Sequence, residues 1–372
     1  MSASNPRTFP AWRARRSRRR ALAAAPIART ARLALGLLLA LAAGCATPRS
    51  AIFVPSAQPL VWPGGDEPPR IRYLGQIATE ADLKAGVSFR HRLGAVLFGR
   101  KPPRGLVLPY AVCTDGGDRL FVADSGDQAV HVFDLAARTY AQWRPATASQ
   151  RFGLPVGIAC APSAERLFVA DSAANLVYVF DLQGRALGEI GRGLFARPTG
   201  LALARQPERL YVADTLAHQV VCLALDGREL ARLGQRGSAP GQFNFPTNVA
   251  VDSQGRLYVS DSLNFRVQQF SPDLQFLRQI GVKGDMPGCF GQPKGIAVDP
   301  QDHLYVVDSN FEAVQVFDDN GALLLSFGQE GRGPGQFWLP AGLCIDGRNQ
   351  IWVADSYNRR VQVFTHLPER RP

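Results

Sequence analysis

The sequence predicts an all-β protein built as a six-bladed β-propeller with four-stranded antiparallel blades. Three observations carry this prediction. One unit recurs six times along the chain, each unit reads as four short strands, and a spare strand near the N-terminus matches a vacancy at the C-terminus. A fixed period of this size is typical of stacked units, none of which can bury its own apolar surface.

Each unit is marked by an aspartate that ends an LYV-type strand and by a proline that starts an earlier apolar strand. The aspartates are Asp124, Asp171, Asp214, Asp261, Asp308 and Asp355, at spacings of 47, 43, 47, 47 and 47 residues. The prolines are Pro109, Pro155, Pro198, Pro246, Pro293 and Pro340. Because the aspartate recurs in all six units, we expect a structural role rather than catalysis. Followed by Ser or Thr at a strand end, each carboxylate can accept hydrogen bonds from turn amides, and binding of a cation is the alternative.

The fourth unit shows the predicted strands most clearly. They are Thr247–Asp252, Arg256–Asp261, Arg266–Ser271 and Phe276–Gly281, separated by turns rich in Gly, Asn, Asp and Pro. Four short strands in each of six units, with an apolar first strand, favour a propeller over residues 108–366.

Closure of the ring is predicted from the two ends of the repeat array. The sixth unit stops after its third strand, Val361–Phe364, which leaves one strand missing. Residues 70–77 resemble the fourth strands of the other units. We expect this early segment to complete the last blade, because an unpaired edge would invite aggregation.

The first 44 residues are predicted to be a lipoprotein signal peptide. Nine arginines and no acid precede an apolar run, and Leu41-Ala42-Ala43-Gly44-Cys45 resembles a bacterial lipobox. The resemblance implies lipidation of Cys45 and a place in the cell envelope, on the periplasmic side of the outer membrane. An uncleaved anchor or a plain signal peptide remain alternatives. Without this leader the net charge falls from +11 to +2, so we expect no nucleic-acid partner.

Three further segments lie outside the repeats. Residues 45–69 are rich in proline and are predicted to be an extended tether. Residues 78–107 connect the closing strand to the first unit, and apolar residues within 88–98 predict a short helix there. It could act as a lid, a membrane-facing patch or a simple bridge. Residues 367–372 form a tail.

The repeat motifs resemble NHL repeats. The loop Pro-Gly-Gln-Phe stands intact at Pro240–Phe243 and Pro334–Phe337, and the full Asp-Ser-x-Asn-x-Arg pattern occurs after Asp261 and Asp355. The resemblance implies a propeller of a group that includes gluconolactonase-type hydrolases, the peptidyl-amidoglycolate lyase domain and non-catalytic binding domains. Fold alone therefore leaves the function open.

Residues that break the sixfold pattern are the better candidates for a binding site. The inter-blade loops and the turns after each second strand should share one face, where aromatic side chains stand beside cations, as in recognition surfaces. The predicted partner-binding residues are Phe265, Arg266, Phe311, Tyr357, Arg359, Arg360, Arg332, Lys294 and Asn248. We expect a monomeric binding module without a cofactor, which presents this face to an envelope protein, a peptide or a glycan.

The alternative is a metal-dependent hydrolase or lyase that holds Ca or Zn at the channel mouth, where the first strands start. Two residues past each proline, only Asn248 could ligate a metal. The five histidines occupy different repeat positions, so we expect them at surfaces or edges; they are His91, His131, His218, His303 and His366. Apart from Cys45, the cysteines are expected to be small buried residues, and a disulfide is left open.

Overall fold

The structure is a computed structural model that describes residues 51–53, 58–84, 103–145 and 151–367. Twenty-five strands and three short 3₁₀ helices make up the regular structure of this part of the chain. The helices are Glu80–Leu83, Pro162–Ala164 and Ser262–Asn264. Within the described residues, no helix has both the length and the apolar composition to cross a bilayer.

The strands form six antiparallel sheets, one for each blade, in which neighbours along the chain are also neighbours in the sheet, except that β2 lies beside β25 in blade 6. Blades 1 and 2 contain β3 (Pro109–Thr114), β4 (Arg119–Asp124), β5 (Ala129–Asp134), β6 (Thr139–Trp143), β7 (Pro155–Ala161), β8 (Arg166–Asp171), β9 (Leu176–Asp181) and β10 (Ala186–Ile190). Blades 3 and 4 contain β11 (Pro198–Arg205), β12 (Glu208–Asp214), β13 (Gln219–Leu223), β14 (Glu229–Leu233), β15 (Pro246–Val251), β16 (Leu257–Asp261), β17 (Arg266–Phe270) and β18 (Phe276–Ile280).

The last two blades include the N-terminal strands. They contain β19 (Pro293–Val298), β20 (Leu304–Asp308), β21 (Ala313–Phe317), β22 (Leu323–Phe327), β23 (Pro340–Ile345), β24 (Gln350–Asp355), β25 (Arg360–His366), β2 (Ile71–Ile77) and β1 (Val61–Trp62). The first strands of neighbouring blades contact one another all around the ring, including β23 of blade 6 against β3 of blade 1. The chain therefore folds as the predicted six-bladed propeller.

Closure by the N-terminal strand is confirmed. β2 pairs antiparallel with β25, with Tyr73 opposite Phe364 and Ile77 opposite Val361. β1 then adds a fifth strand outside β2. Within the segment 45–69 that is predicted to be an extended tether, Val61 and Trp62 therefore pair with the blade, and Trp62 packs its ring against Phe364 at a centroid distance of 5.7 Å.

The core lies between the blades rather than within them. Six clusters of buried apolar side chains each join two adjacent blades. β2 contributes to two of them: Ile71 is buried between blades 5 and 6, and Ile77 between blades 6 and 1. Because each blade packs against a neighbour on both faces, strands of type LYV and VQVF are buried on both sides. The short helix predicted within 88–98 lies outside the described residues.

Candidate functional site

The six marker aspartates organise the face where the first strands start. Asp124 is fully buried and accepts backbone N–H groups from Val107 and Leu108, in the segment that enters the blade, and from Gly126 and Asp127, in the turn after β4, at 2.7–2.9 Å. The other five markers are equally buried and accept backbone amides of the loops that enter their blades. The structural role predicted for these carboxylates is confirmed, and each one ties an incoming loop to its own blade.

Two of the predicted partner-binding residues belong to this scaffold. Arg266 and Arg360 are each only 5% exposed. Arg266 Nε donates to Asp261 at 2.8 Å and its Nη2 donates to the carbonyl of Gln242, and Arg360 makes the equivalent bonds with Asp355 and Gln336. The expectation that they are exposed cations of the face is corrected, because four of the five N–H donors of each guanidinium bond to a buried carboxylate, a glutamine side chain and loop carbonyls.

A glutamine in the third strand clamps the same loops. Gln268 accepts the N–H of Gly241 at 2.9 Å and donates to the carbonyl of Gln242, and Gln315 and Gln362 repeat this pattern in blades 5 and 6. In blade 1 the equivalent position holds His131. Each of these three glutamines therefore supplies one hydrogen-bond donor and one acceptor to the loop that enters its own blade.

His131 corrects the expectation of surface histidines, because it is fully buried. Its Nδ1 lies 2.9 Å from the Tyr140 hydroxyl, and its Nε2 lies 3.2 Å from Asp127 and 3.7 Å from Asp124. Burial lowers the pKa of His131, and the two carboxylates oppose this shift only in part, while Arg144 adds to it. His218 is also buried, and its Nδ1 accepts the N–H of Phe245 at 3.2 Å.

An exposed cluster on blade 6 does fit a recognition role. Tyr357 is 52% exposed and Trp338 is 36% exposed, with ring centroids 5.5 Å apart. The Arg332 guanidinium lies 4.6 Å from the centre of the Trp338 ring, and Arg359 is exposed in the same turn as Tyr357. Arg332, Trp338, Tyr357 and Arg359 are called the aromatic patch below.

Sequence reasoning missed Trp338, although a signal was present. The residue directly after the last Phe of the Pro-Gly-Gln-Phe loop is Asn244 in blade 4 and Trp338 in blade 6, and Gly291 stands there in blade 5. A tryptophan at a position that otherwise holds a small or polar residue breaks the repeat pattern. The same search for exceptions that found Tyr357 would have identified it.

The other predicted face residues are less accessible. Phe265 is half-buried, with the Lys283 ammonium 4.9 Å from its ring centre, and Phe311 is half-buried in its turn. Lys294 is half-buried, and burial lowers its pKa while the Glu312 carboxylate opposes the shift. These three side chains are thus less exposed than Tyr357.

The channel mouth is crowded by backbone where the first strands start. A Cβ atom added at Gly157 would lie 1.8 Å from the Thr199 carbonyl oxygen, and one added at Gly200 would lie 2.5 Å from Cα of Asn248. Asn248 itself lines the channel, and its Oδ1 accepts the N–H of Val249 at 2.8 Å. A Ca or Zn ion needs several converging donors, and Asn248 alone does not fit one. Within the described ranges, no three His, Cys, Asp or Glu side chains are grouped as metal ligands.

The channel continues as a cavity of about 620 Å³ lined by the first strands. Cys113, Cys160 and Cys344 lie on its wall, and burial raises the pKa of all three thiols, that of Cys160 to about 12. Thiols held protonated in this way are poor nucleophiles and poor ligands. The five cysteines of the described residues are free thiols, which answers the open question of a disulfide among them.

Comparison with known proteins identifies the repeat and the fold. The NHL repeat family matches residues 243–270, 290–317 and 337–364. No functionally curated protein is significantly similar to the chain.

Three solved structures share the fold. A gluconolactonase from Xanthomonas campestris is 17% identical, with 84% of this chain and 99% of that chain covered and a TM-score of 0.55. Virginiamycin B lyase from Staphylococcus aureus is 14% identical, with 70% and 96% covered and a TM-score of 0.51. An auxiliary nutrient binding protein from Bacteroides ovatus is 11% identical, with 71% and 70% covered and a TM-score of 0.56. At these identities the likeness concerns the fold alone.

Replacement of His131 by Gln, the residue found in blades 4 to 6, should remove part of the acid sensitivity of the fold. Because the folded pKa of His131 is lowered, the unfolded chain takes up the proton first as pH falls below about 6.5. The wild type should then lose up to about 1.4 kcal/mol of unfolding free energy for each pH unit below that point, until the folded pKa is reached. Urea unfolding at neutral and mildly acidic pH measures this loss. Equal losses in wild type and His131→Gln would contradict the assignment.

Proposed function

Because this chain is an NHL-repeat β-propeller, we propose that it is a binding module of the bacterial cell envelope that recognises its partner through the aromatic patch. The observation that carries the proposal is the exposed pair Trp338 and Tyr357, flanked by Arg332. Tyr, Trp and Arg are the residues that dominate binding energy at protein interfaces. The partner is a protein, a peptide or a glycan, and the propeller acts as a monomer.

The patch rests on a rigid support. The N–H of Trp338 donates to Asp355 at 2.8 Å, and the N–H of Tyr357 donates to the Trp338 carbonyl at 3.1 Å. Asn358 donates from its amide to Asp355 and to the Gly331 carbonyl, both at 2.9 Å. A surface fixed before binding loses little conformational entropy when the partner arrives, so more of the contact energy appears as affinity.

The predicted export signal favours an extracytoplasmic partner. The leader and Cys45 favour a lipid-anchored protein on the periplasmic side of the outer membrane. The name of the Bacteroides ovatus structure, an auxiliary nutrient binding protein, is consistent with a binding role for the same fold. A net charge of +2 after the leader gives no reason to expect nucleic acid as a partner.

A metal-dependent hydrolase or lyase is the weaker candidate, even though a gluconolactonase and a lyase share the fold. That activity would need metal-ligating side chains that converge on the channel mouth. Among the six residues that stand two positions after a repeat proline, only Asn248 has such a side chain. Our proposal is therefore a module that works without a metal or organic cofactor.

The aromatic patch is tested by photo-crosslinking in cells that express the full chain. A photoreactive residue at position 357 should capture one partner, which mass spectrometry identifies. The same residue at Leu277, which is 45% exposed on the outer strand β18, should not capture it.

The purified partner should then bind the Trp338→Ala/Tyr357→Ala variant at least about 30-fold more weakly, because losing two aromatic anchors costs 2 kcal/mol or more. Leu277→Ala is the matched control and should bind normally. Unchanged affinity of the double variant, with an unchanged melting temperature, would rule out the patch.

The lipid anchor is tested by labelling cells with a radioactive fatty acid. The wild-type chain should take up the label and fractionate with outer membranes, because a diacylated cysteine holds a protein stably in a bilayer. Cys45→Ala should lose the label. Absence of label from the wild type, or its retention in the variant, would show that Cys45 is not the anchor.

A further inference from the structure

The chain that precedes β2 packs against both faces of blade 6. Ile52 and Phe53 lie partly buried on the core between blades 6 and 1. Trp62 lies partly buried on the core between blades 5 and 6. Residues 51–53 and 58–62 are called the strap below. The strap thus touches the two cores that flank the blade closed by β2.

Two glycines make room for the strap. A Cβ atom added at Gly75 would lie 2.6 Å from the Phe53 ring, and one added at Gly335 would lie 2.6 Å from Trp62 Cη2 and 2.7 Å from Leu60 Cδ2. Because carbon atoms that are not bonded to each other prefer a separation of about 3.5–4.0 Å, a larger residue at either position would push the strap away. The strap is therefore closely seated on the blade.

Backbone hydrogen bonds hold the same segment. The N–H of Tyr73 donates to the Leu60 carbonyl at 2.9 Å, and the N–H of Arg70 donates to the Trp62 carbonyl at 2.8 Å. Together with the ring contacts, these bonds attach the strap to the outer edge of blade 6. Any force on the chain before Ile52 is thus taken up by this blade.

The strap leaves a short stretch of chain between blade 6 and the lipid anchor proposed above, on which this step rests. Cys45 and Ile52 are seven Cα–Cα steps apart. An extended chain spans at most about 3.6 Å per residue, so the two residues lie within about 25 Å of each other. A lipid on Cys45 places that residue at the bilayer surface. The outer edge of blade 6 is therefore kept close to the membrane.

The strap also borders the aromatic patch. Gly335, on which Leu60 and Trp62 rest, stands three residues from both Arg332 and Trp338. The blade that is tied to the anchor is thus the blade that carries the patch. The opposite side of the ring, formed by blades 2 to 4, has no attachment to the strap among the described residues.

We propose that the propeller stands edge-on at the membrane, with blade 6 nearest the bilayer, and that the partner of the aromatic patch is a protein of the same membrane. The inference rests on the proposed function, since it says where the partner of that patch resides. Confining two molecules to one membrane raises the effective concentration of each at the other. A partner dissolved in the periplasm would gain nothing from the short connection.

Energy transfer to acceptor dyes on lipid headgroups tests the orientation. The lipidated full chain is reconstituted in vesicles of phosphatidylethanolamine and phosphatidylglycerol, with a fluorescent residue at position 357 or at position 216. Leu216 is the matched control, because it is 48% exposed and occupies the turn of blade 3 that is equivalent to the turn of Tyr357 in blade 6. Transfer from position 357 should be at least about twofold greater, because the connection from Cys45 to the strap is short. Equal transfer from both positions in vesicle-bound protein would overturn the orientation.

A flexible insert of about 20 Gly and Ser residues between Ser50 and Ala51 lengthens the connection without altering the strap. The insert should abolish most of the difference between the two positions. An undiminished difference would show that the strap does not orient the propeller. Failure of the wild-type chain to bind vesicles would refute the lipid anchor and this inference together, whereas the crosslinking test of the patch would be unaffected.

The location of the partner is read from the protein that photo-crosslinking at position 357 captures. In cells that lack the propeller, this protein should still fractionate with the membranes. Recovery of the partner in the soluble periplasmic fraction, or capture of a glycan instead of a protein, would overturn the inference and leave the aromatic patch as proposed. Capture of no partner at all would overturn the proposed function as well.

Discussion

Pairing of β2 with β25 is the constraint on which the rest of the molecule depends. A propeller blade has two apolar faces, and a blade without its outer strand would expose the edge of its third strand and part of both interfaces. β2 fills that vacancy and places Ile71 and Ile77 in the two cores that flank blade 6. Closure therefore also holds the turn that carries Tyr357, since this turn joins β24 to β25 within blade 6.

Buried carboxylates turn this closed ring into a rigid support. Each marker aspartate accepts amides from the loop that enters its blade. Such charge-assisted bonds in a buried setting are strong, and breaking one leaves an unpaired buried charge. Blade 6 uses the full set, with Arg360, Asn358 and Gln362 all directed at Asp355. The most exposed aromatic pair of the face thus stands on one of its most heavily bonded loops.

Sequence periodicity was enough to predict the six blades, the closing strand and the structural aspartates, because all three follow from counting equivalent positions. Periodicity did not predict which individual side chains of the face are exposed and which are buried. Arg266 and Arg360 read as surface cations, yet a buried carboxylate five residues earlier draws each of them inward. The burial of His131 was not predicted either, because the sequence comparison did not align it with Gln268, Gln315 and Gln362, which occupy the same position of the third strand. In segment 45–69, predicted to be an extended tether, the pairing of Val61 and Trp62 with β2 had no sequence signal, because two residues between prolines show no strand periodicity.

Hydrogen exchange of the β2 amides tests the central claim most directly. If β2 is an integral strand of blade 6, its amides can exchange only when the ring opens as a whole. They should then show the same protection free energy as the amides of β16 in the centre of blade 4, and the same dependence on denaturant. Rapid exchange of β2 while β16 remains protected would show that the ring is stable without its N-terminal strand and would contradict the account.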